Sequence, residues 1–233
     1  MRFVVTYNGI TDESIGCHAQ RRPSVPAPSR TVTVTDIRGR DGAYYDSDRT
    51  FNDVVIPIDF SFKAEARDRW HQRYRAIKQW LLSGDNGDLK FSDDAGYHYR
   101  VRNVAIRNTE RSAFTIGVVQ AEFVCEGYTY LDSGDNQISF ASSIYNDHDI
   151  CHPEYQISGN GTCTLTVNGK SFVATVNGTC LIDTDRMITS VNGAWANTTA
   201  TGDYEGLYLN PGSNTLSKTN GFTVLITPHW RCI

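Results

Sequence analysis

The stretch TCTLTVNGKSFVATV, residues 162–176, decides how the second half of the chain folds. Apolar and polar residues alternate on either side of Asn168-Gly169. Asn-Gly suits a type I′ turn because both central positions of that turn require positive φ. A two-residue turn there sets Leu165 opposite Phe172 and Cys163 opposite Ala174 on one face, with Thr164, Thr166, Val173 and Thr175 on the other. Asn-Gly recurs at 8, 86, 160, 168, 177, 192 and 220, five times beyond residue 150, and is read as a hairpin signal. Asn160, Asn177 and Asn197 also match N-x-[ST], but the first two are expected simply as hairpin turns followed by threonine. With strand-like segments recurring to Trp230, residues 132–233 read as an all-β sandwich or jelly roll. The polar cluster DSGD, residues 132–135, marks the expected boundary.

Working back towards the start, residues 1–131 read as a β-domain with one inserted helix. VVIPIDFSF (54–62) is β-rich, and its Pro57, lacking an N–H, belongs on an edge or at a bulge. YHYRVRNVAI (97–106) alternates Tyr97, Tyr99 and Val101 against His98, Arg100 and Arg102, and FTIGVVQAEFV (114–124) follows after a polar turn. Between these, residues 65–83 carry Trp70, Tyr74, Ile77 and Leu81 at helical spacing. Arg67, Arg69, Gln72, Arg73, Arg75, Lys78 and Gln79 are expected on a solvated opposite face. Ser83-Gly84 supplies a stop, and Asn86-Gly87 a turn away.

Totals exclude several classes of function. A net charge of −4 gives no electrostatic pull on nucleic acid or an anionic membrane surface. No segment approaches the roughly 20 apolar residues that span a bilayer. The opening MRFVVTYNGI turns polar at Thr6, so Sec-type secretion is not expected, and folding and assembly in the cytoplasm are. Cys17, Cys125, Cys151, Cys163, Cys180 and Cys232 are widely and irregularly spaced, without a CxxC pair. In a reducing compartment they read as buried small side chains.

Candidate chemistry is sparse. NDHDICHPEY (146–155) gathers Asp147, His148, Asp149, Cys151 and His152, yet the two histidines would converge on a metal only in a helix, and Pro153 argues for a loop. Asp183 and Asp185 read as a polar strand end rather than paired acid–base carboxylates. No nucleophile elbow, phosphate loop, zincin motif or dinucleotide fingerprint is present. No catalytic residue, metal or cofactor is therefore expected. Residues 21–49 carry more information. RRPSVPAPSR places three prolines in six residues, TVTVTDI is strand-like but weakly apolar, and RGRDGAYYDSDRT follows. This reads either as an arm pairing with a neighbouring subunit or as an ordinary mobile loop.

The order of these pieces resembles the distal tail protein (Dit) family of long-tailed bacteriophages. The resemblance runs through the arm ending Ile37-Arg38-Gly39-Arg40-Asp41-Gly42, the strand at 54–62, and the helix ending Ala76-Ile77-Lys78-Gln79-Trp80-Leu81. It continues through Leu89-Lys90-Phe91-Ser92-Asp93, Tyr97-His98-Tyr99 and Ala121-Glu122-Phe123-Val124-Cys125. In the second half it rests on Pro153-Glu154-Tyr155-Gln156-Ile157-Ser158-Gly159, the hairpin at Asn168, Leu181-Ile182-Asp183 and Leu209-Asn210-Pro211-Gly212-Ser213-Asn214. Each motif alone is common; their collinear order is specific. The six cysteines are not part of the family pattern.

The resemblance implies an N-terminal β-sandwich with one helix and an arm, then a galectin-like jelly roll. It implies a homo-hexameric ring in the virion tail tip. That ring would join the tail tube and tape-measure protein to the baseplate, a tail-associated lysin or receptor-binding proteins. Val32, Val34, Arg38, Arg40, Asp41, Tyr44 and Tyr45 then become interface positions, with Asp48 helping Arg38, Arg40 and Asp41 to set register. The rival reading is a carbohydrate-binding tail protein, with Trp195, Tyr204, Tyr208 and Trp230 stacking on sugars. A virion glycoside hydrolase ranks last, for want of a carboxylate pair with aromatic subsites.

Overall fold

The computed structural model describes residues 2–84 and 87–233, so Asn86 of the expected Asn86-Gly87 turn lies outside the described residues. The protein is mainly β and divides into two compact units, Met1–Thr129 with Ile233, and Tyr130–Cys232.

In the first unit the sheet runs Ile10–Thr11, Val5–Tyr7, Asp88–Phe91, Tyr97–Glu110, Ile116–Leu131, Val54–Lys63 and Cys17–Ala19. The strand Val54–Lys63 alternates strictly, so Ile56, Ile58, Phe60 and Phe62 all turn inward. Ile56 lies opposite Phe123, Ile58 opposite Ala121 and Phe60 opposite Val119. Pro57 pairs on one side with Glu122, while Cys17–Ala19 covers only Phe60 to Phe62 on the other. The missing N–H therefore falls where the strand has a single neighbour. The strand Tyr97–Glu110 departs from the expected alternation: His98 is buried beside Val101 and Val104.

The helix spans Trp70–Leu82, preceded by a 3-10 turn at Arg67–Arg69, and so begins later than residue 65. Trp70, Ile77 and Leu81 are buried and Tyr74 packs at the margin. Trp80 joins them. Its ring meets Phe60 at 5.4 Å and Tyr7 at 6.3 Å, and its Nε1 donates to the Tyr7 carbonyl at 3.2 Å. The polar face is also less idle than expected. Arg73 donates to the Ile15 carbonyl at 2.9 Å, placing a cation at the C-terminal end of the short helix Asp12–Ile15. Asp12 is fully buried and accepts backbone N–H bonds from Val5, Glu13 and Ala19.

The second unit is organised by the hairpin of Glu154–Val167 with Lys170–Asp183, an unbroken ladder of fourteen residue pairs. Its turn is Asn168 at φ 48° and Gly169 at φ 79°, and the register sets Leu165 against Phe172 and Cys163 against Ala174. All four side chains are buried. Along its length the hairpin changes neighbours. Glu154 to Ser158 pair with Thr223–Thr227, whereas Leu165 to Val167 pair with Gly212–Lys218. On the other strand, Cys180 to Asp183 pair with Ile188–Val191, and Val173 and Ala174 with Ala200–Thr201.

Glycines sit at the change-over. Gly159 takes φ 153° and Gly161 φ 115°, and a Cβ at Gly159 would meet the buried ring of Phe222 at 2.5 Å. Three Asn-Gly pairs therefore do something other than turn a hairpin. Asn160 and Asn177 face each other within the ladder, which corrects their expectation as hairpin turns. The turn at Asn220-Gly221 joins two strands that both run antiparallel to Glu154–Val167, so the chain does not reverse there. Hairpin turns do form at Asn8-Gly9, Asn168-Gly169 and Asn192-Gly193, each with positive φ at both residues.

Candidate functional site

Residues 30–51 form a hairpin of their own, Arg30–Thr35 against Tyr44–Phe51, that pairs with no other strand among the described residues. Its root is fixed. Asn52 N donates to the Ser29 carbonyl at 2.8 Å, and the Phe51 ring meets Tyr128 edge-on at 5.5 Å. Beyond the root every residue of Arg30–Thr35 is exposed. Val34 pairs with Tyr45, and Val32 with Ser47, so Val32, Val34 and Tyr45 share one face. Tyr44, opposite Thr35, belongs to the other face with Thr33. Val34 is 54% exposed and Tyr45 69%. Arg38, Arg40 and Asp41 sit in the exposed tip, held by Arg40 N donating to the Ile37 carbonyl at 3.2 Å. The side chain of Asp48 lies outside the described residues.

An isolated two-stranded hairpin is marginal in water, and it leaves two rows of backbone groups unpaired. Val32, Val34 and Tyr45 thus present apolar surface and unpaired strand edges together. The geometry can supply association; it offers no reacting group.

The chemistry-bearing side chains of the second unit are engaged with one another. The segment around His148 and His152 is not helical, and its histidines are engaged separately. His148 packs against Trp230, at 6.1 Å between ring centroids. His152 Nδ1 lies 2.8 Å from Asp185 Oδ1 and its Nε2 2.9 Å from Arg231 Nη2. Because a guanidinium only donates, Nε2 must be the bare nitrogen and Nδ1 carries the proton to Asp185. A histidine–carboxylate pair is thus present, but the nitrogen that would act as a base is occupied by Arg231. Asp185, expected as part of a polar strand end, is thus paired with a histidine 33 residues away in sequence.

The four aromatic residues of the sugar-binding reading are placed as follows. Tyr204 packs on Phe172 at 4.9 Å, and its hydroxyl lies 2.8 Å from Thr189 Oγ1. Tyr208 stacks on His152 at 4.0 Å, and Trp230 is partly buried against the second core. Trp195 points outward at 83% exposure. All six cysteines are thiols, and burial pushes those of Cys17 and Cys125 up to about 12, which keeps them protonated and unreactive.

Residues 11–125, nearly the whole first unit, match the phage tail protein RIFT-related domain. The first unit thus carries a phage tail protein domain. The resemblance to siphophage distal tail proteins is thereby borne out, and the fold agrees. The Dit (gp 19.1) protein of phage SPP1, described as a paradigm of the hub adsorption apparatus in phages infecting Gram-positive hosts, superposes with a TM-score of 0.72 at 14% identity, over 100% of both chains. A chain of the phage P2 baseplate in its activated conformation with Ca gives 0.55 at 11% identity, over 100% of this chain and 99% of that one. The corresponding strontium structure gives 0.51 at 11%, over 97% of each. No curated protein sequence matches the chain. The tail protein thus has a structural role in a phage tail and shares its fold with hub and baseplate components. Among the described residues no helix is long and apolar enough to cross a membrane.

Proposed function

We propose that the tail protein is the hub subunit of a siphophage tail tip. It closes as a homo-hexameric ring between the tail tube, with its tape-measure protein, and the baseplate, a tail-associated lysin or receptor-binding proteins. Residues 1–131 form the ring and residues 132–233 a galectin-like jelly roll. The protein assembles in the host cytoplasm, ends in the virion, and has no enzymatic role, a reading supported by the capping of His152 by Arg231. The observation that carries the proposal is the uncovered arm, with Val32, Val34 and Tyr45 on one face and Arg38, Arg40 and Asp41 at its tip. A head-to-tail interface that closes makes a ring without any catalytic group. Replacing residues 24–48 by a short glycine–serine linker should leave a folded chain that no longer assembles. Circular dichroism and sedimentation velocity on one sample decide this. A deletion variant sedimenting like the parent ring removes the arm from the interface, and an unfolded one makes it part of the core.

A second reading, sugar binding, is favoured by one observation, the outward indole of Trp195. A glycan array with the parent and Trp195→Ala tests it: binding lost in the variant supports it, and an array without hits sinks it.

A further inference from the structure

The geometry points to a socket for the arm: the cavity beside residues 22–25 receives the arm tip of a second copy of the chain, with Asp94 taking an arginine of that tip. This rests on the ring reading and names the surface that completes it.

The cavity has a volume of about 300 Å³ and lies within the first unit. Phe3, Phe91 and Tyr99 give it aromatic walls, and Asp93 and Asp94 give it negative charge. Its own chain shows what it accepts. Arg22 Nε donates to Asp93 Oδ2 at 2.5 Å, while the same guanidinium lies 5.7 Å from the centroid of the Phe3 ring. A cation between an aromatic face and a carboxylate combines two favourable terms. Asp94 lines the same cavity half-buried, yet among the described residues its carboxylate has no hydrogen bond or ion pair. One acceptor of the pair is filled and the other is open.

The arm tip is the complement. Arg38 and Arg40 flank Gly39, which takes φ 82°, and both are exposed with no side-chain partner among the described residues. Ile37 beside them is 45% exposed, an apolar contact for the aromatic walls. A guanidinium serves here better than an ammonium, because it stacks on a ring and bonds a carboxylate at once. A second cavity of this unit, about 220 Å³, is lined by Arg69 and Arg73 beside Glu65, a poorer electrostatic match for the tip arginines.

The test uses the full-length chain carrying Arg40→Lys, which supplies a primary amine at the tip. Isotope-labelled and unlabelled chains are mixed and treated with a carbodiimide, which joins an amine to a carboxylate only in contact. The expected product is a mixed-isotope peptide pair linking position 40 to Asp94 or Asp93. Links only to other carboxylates, links within one copy, or no link overturn the socket. In parallel, Asp94→Arg should weaken self-association roughly hundredfold without changing the circular dichroism, since like charges then meet. Combining it with Arg38→Asp and Arg40→Asp should restore association. If arm deletion abolishes the ring while Asp94→Arg leaves it intact, the socket is wrong and the arm reading stands. If neither matters, both fall.

Discussion

Two hairpins of this protein share one local chemistry and differ in everything that follows from burial. The hairpin Glu154–Val167 with Lys170–Asp183 alternates apolar and polar residues and sends Leu165, Val167, Phe172 and Val176 into a core. The arm hairpin alternates in the same way, with Val32 and Val34 between threonines, and buries neither face. Period-two alternation specifies a strand in both. It does not say what will cover the face, and that difference separates a scaffold from a connector. Threonine in place of leucine gives the arm β-propensity without enough apolar area to collapse onto its own unit.

The largest test of the contrast removes Phe172, fully enclosed beside Tyr204. Phe172→Ala should cost about 3–5 kcal/mol, read as a fall in the urea midpoint, because the cavity cannot refill. A loss under 1 kcal/mol would make the two hairpins energetically alike and break the comparison. An intermediate effect belongs to Gly169, at φ 79° in the tight turn. Gly169→Ala should cost about 1–2 kcal/mol through left-handed strain alone, since nothing lies near the added methyl. The smallest belongs to the arm. Tyr45→Ala should shift monomer stability by no more than about 0.5 kcal/mol, while sedimentation velocity shows weaker assembly. A Tyr45 variant that melts early would mean its face is covered within the monomer.

What the sequence revealed and what it hid divide along the range of the interactions. The register at Asn168-Gly169 was legible because turn chemistry and alternation lie within fifteen residues of each other. The helix face was legible from its 3.6-residue period, but Trp80 was read only as part of the closing motif. It widens the apolar stripe past the four positions counted, and its partners Tyr7 and Phe60 come from distant strands. Asp12 was missed for the same reason. In TDESIG it looks like an ordinary polar turn residue, and only folding brings the N–H groups of Val5 and Ala19 to its carboxylate. Asn160 and Asn177 misled because Asn-Gly signals local permissiveness, and whether the chain then turns or bends depends on its neighbours. The arm's character was readable in its prolines and threonines. Its split into a valine–Tyr45 face and a Tyr44 face required the register.

The long hairpin of the second unit has a mechanical consequence. Its two ends hold different neighbours, Thr223–Thr227 at one and Gly212–Lys218 at the other, yet both ends are one uninterrupted ladder. Force applied to either set of neighbours is carried by covalent chain into the other. The two ends of the unit therefore lean on one ladder, and they should gain or lose hydrogen-exchange protection together rather than as two independent sheets.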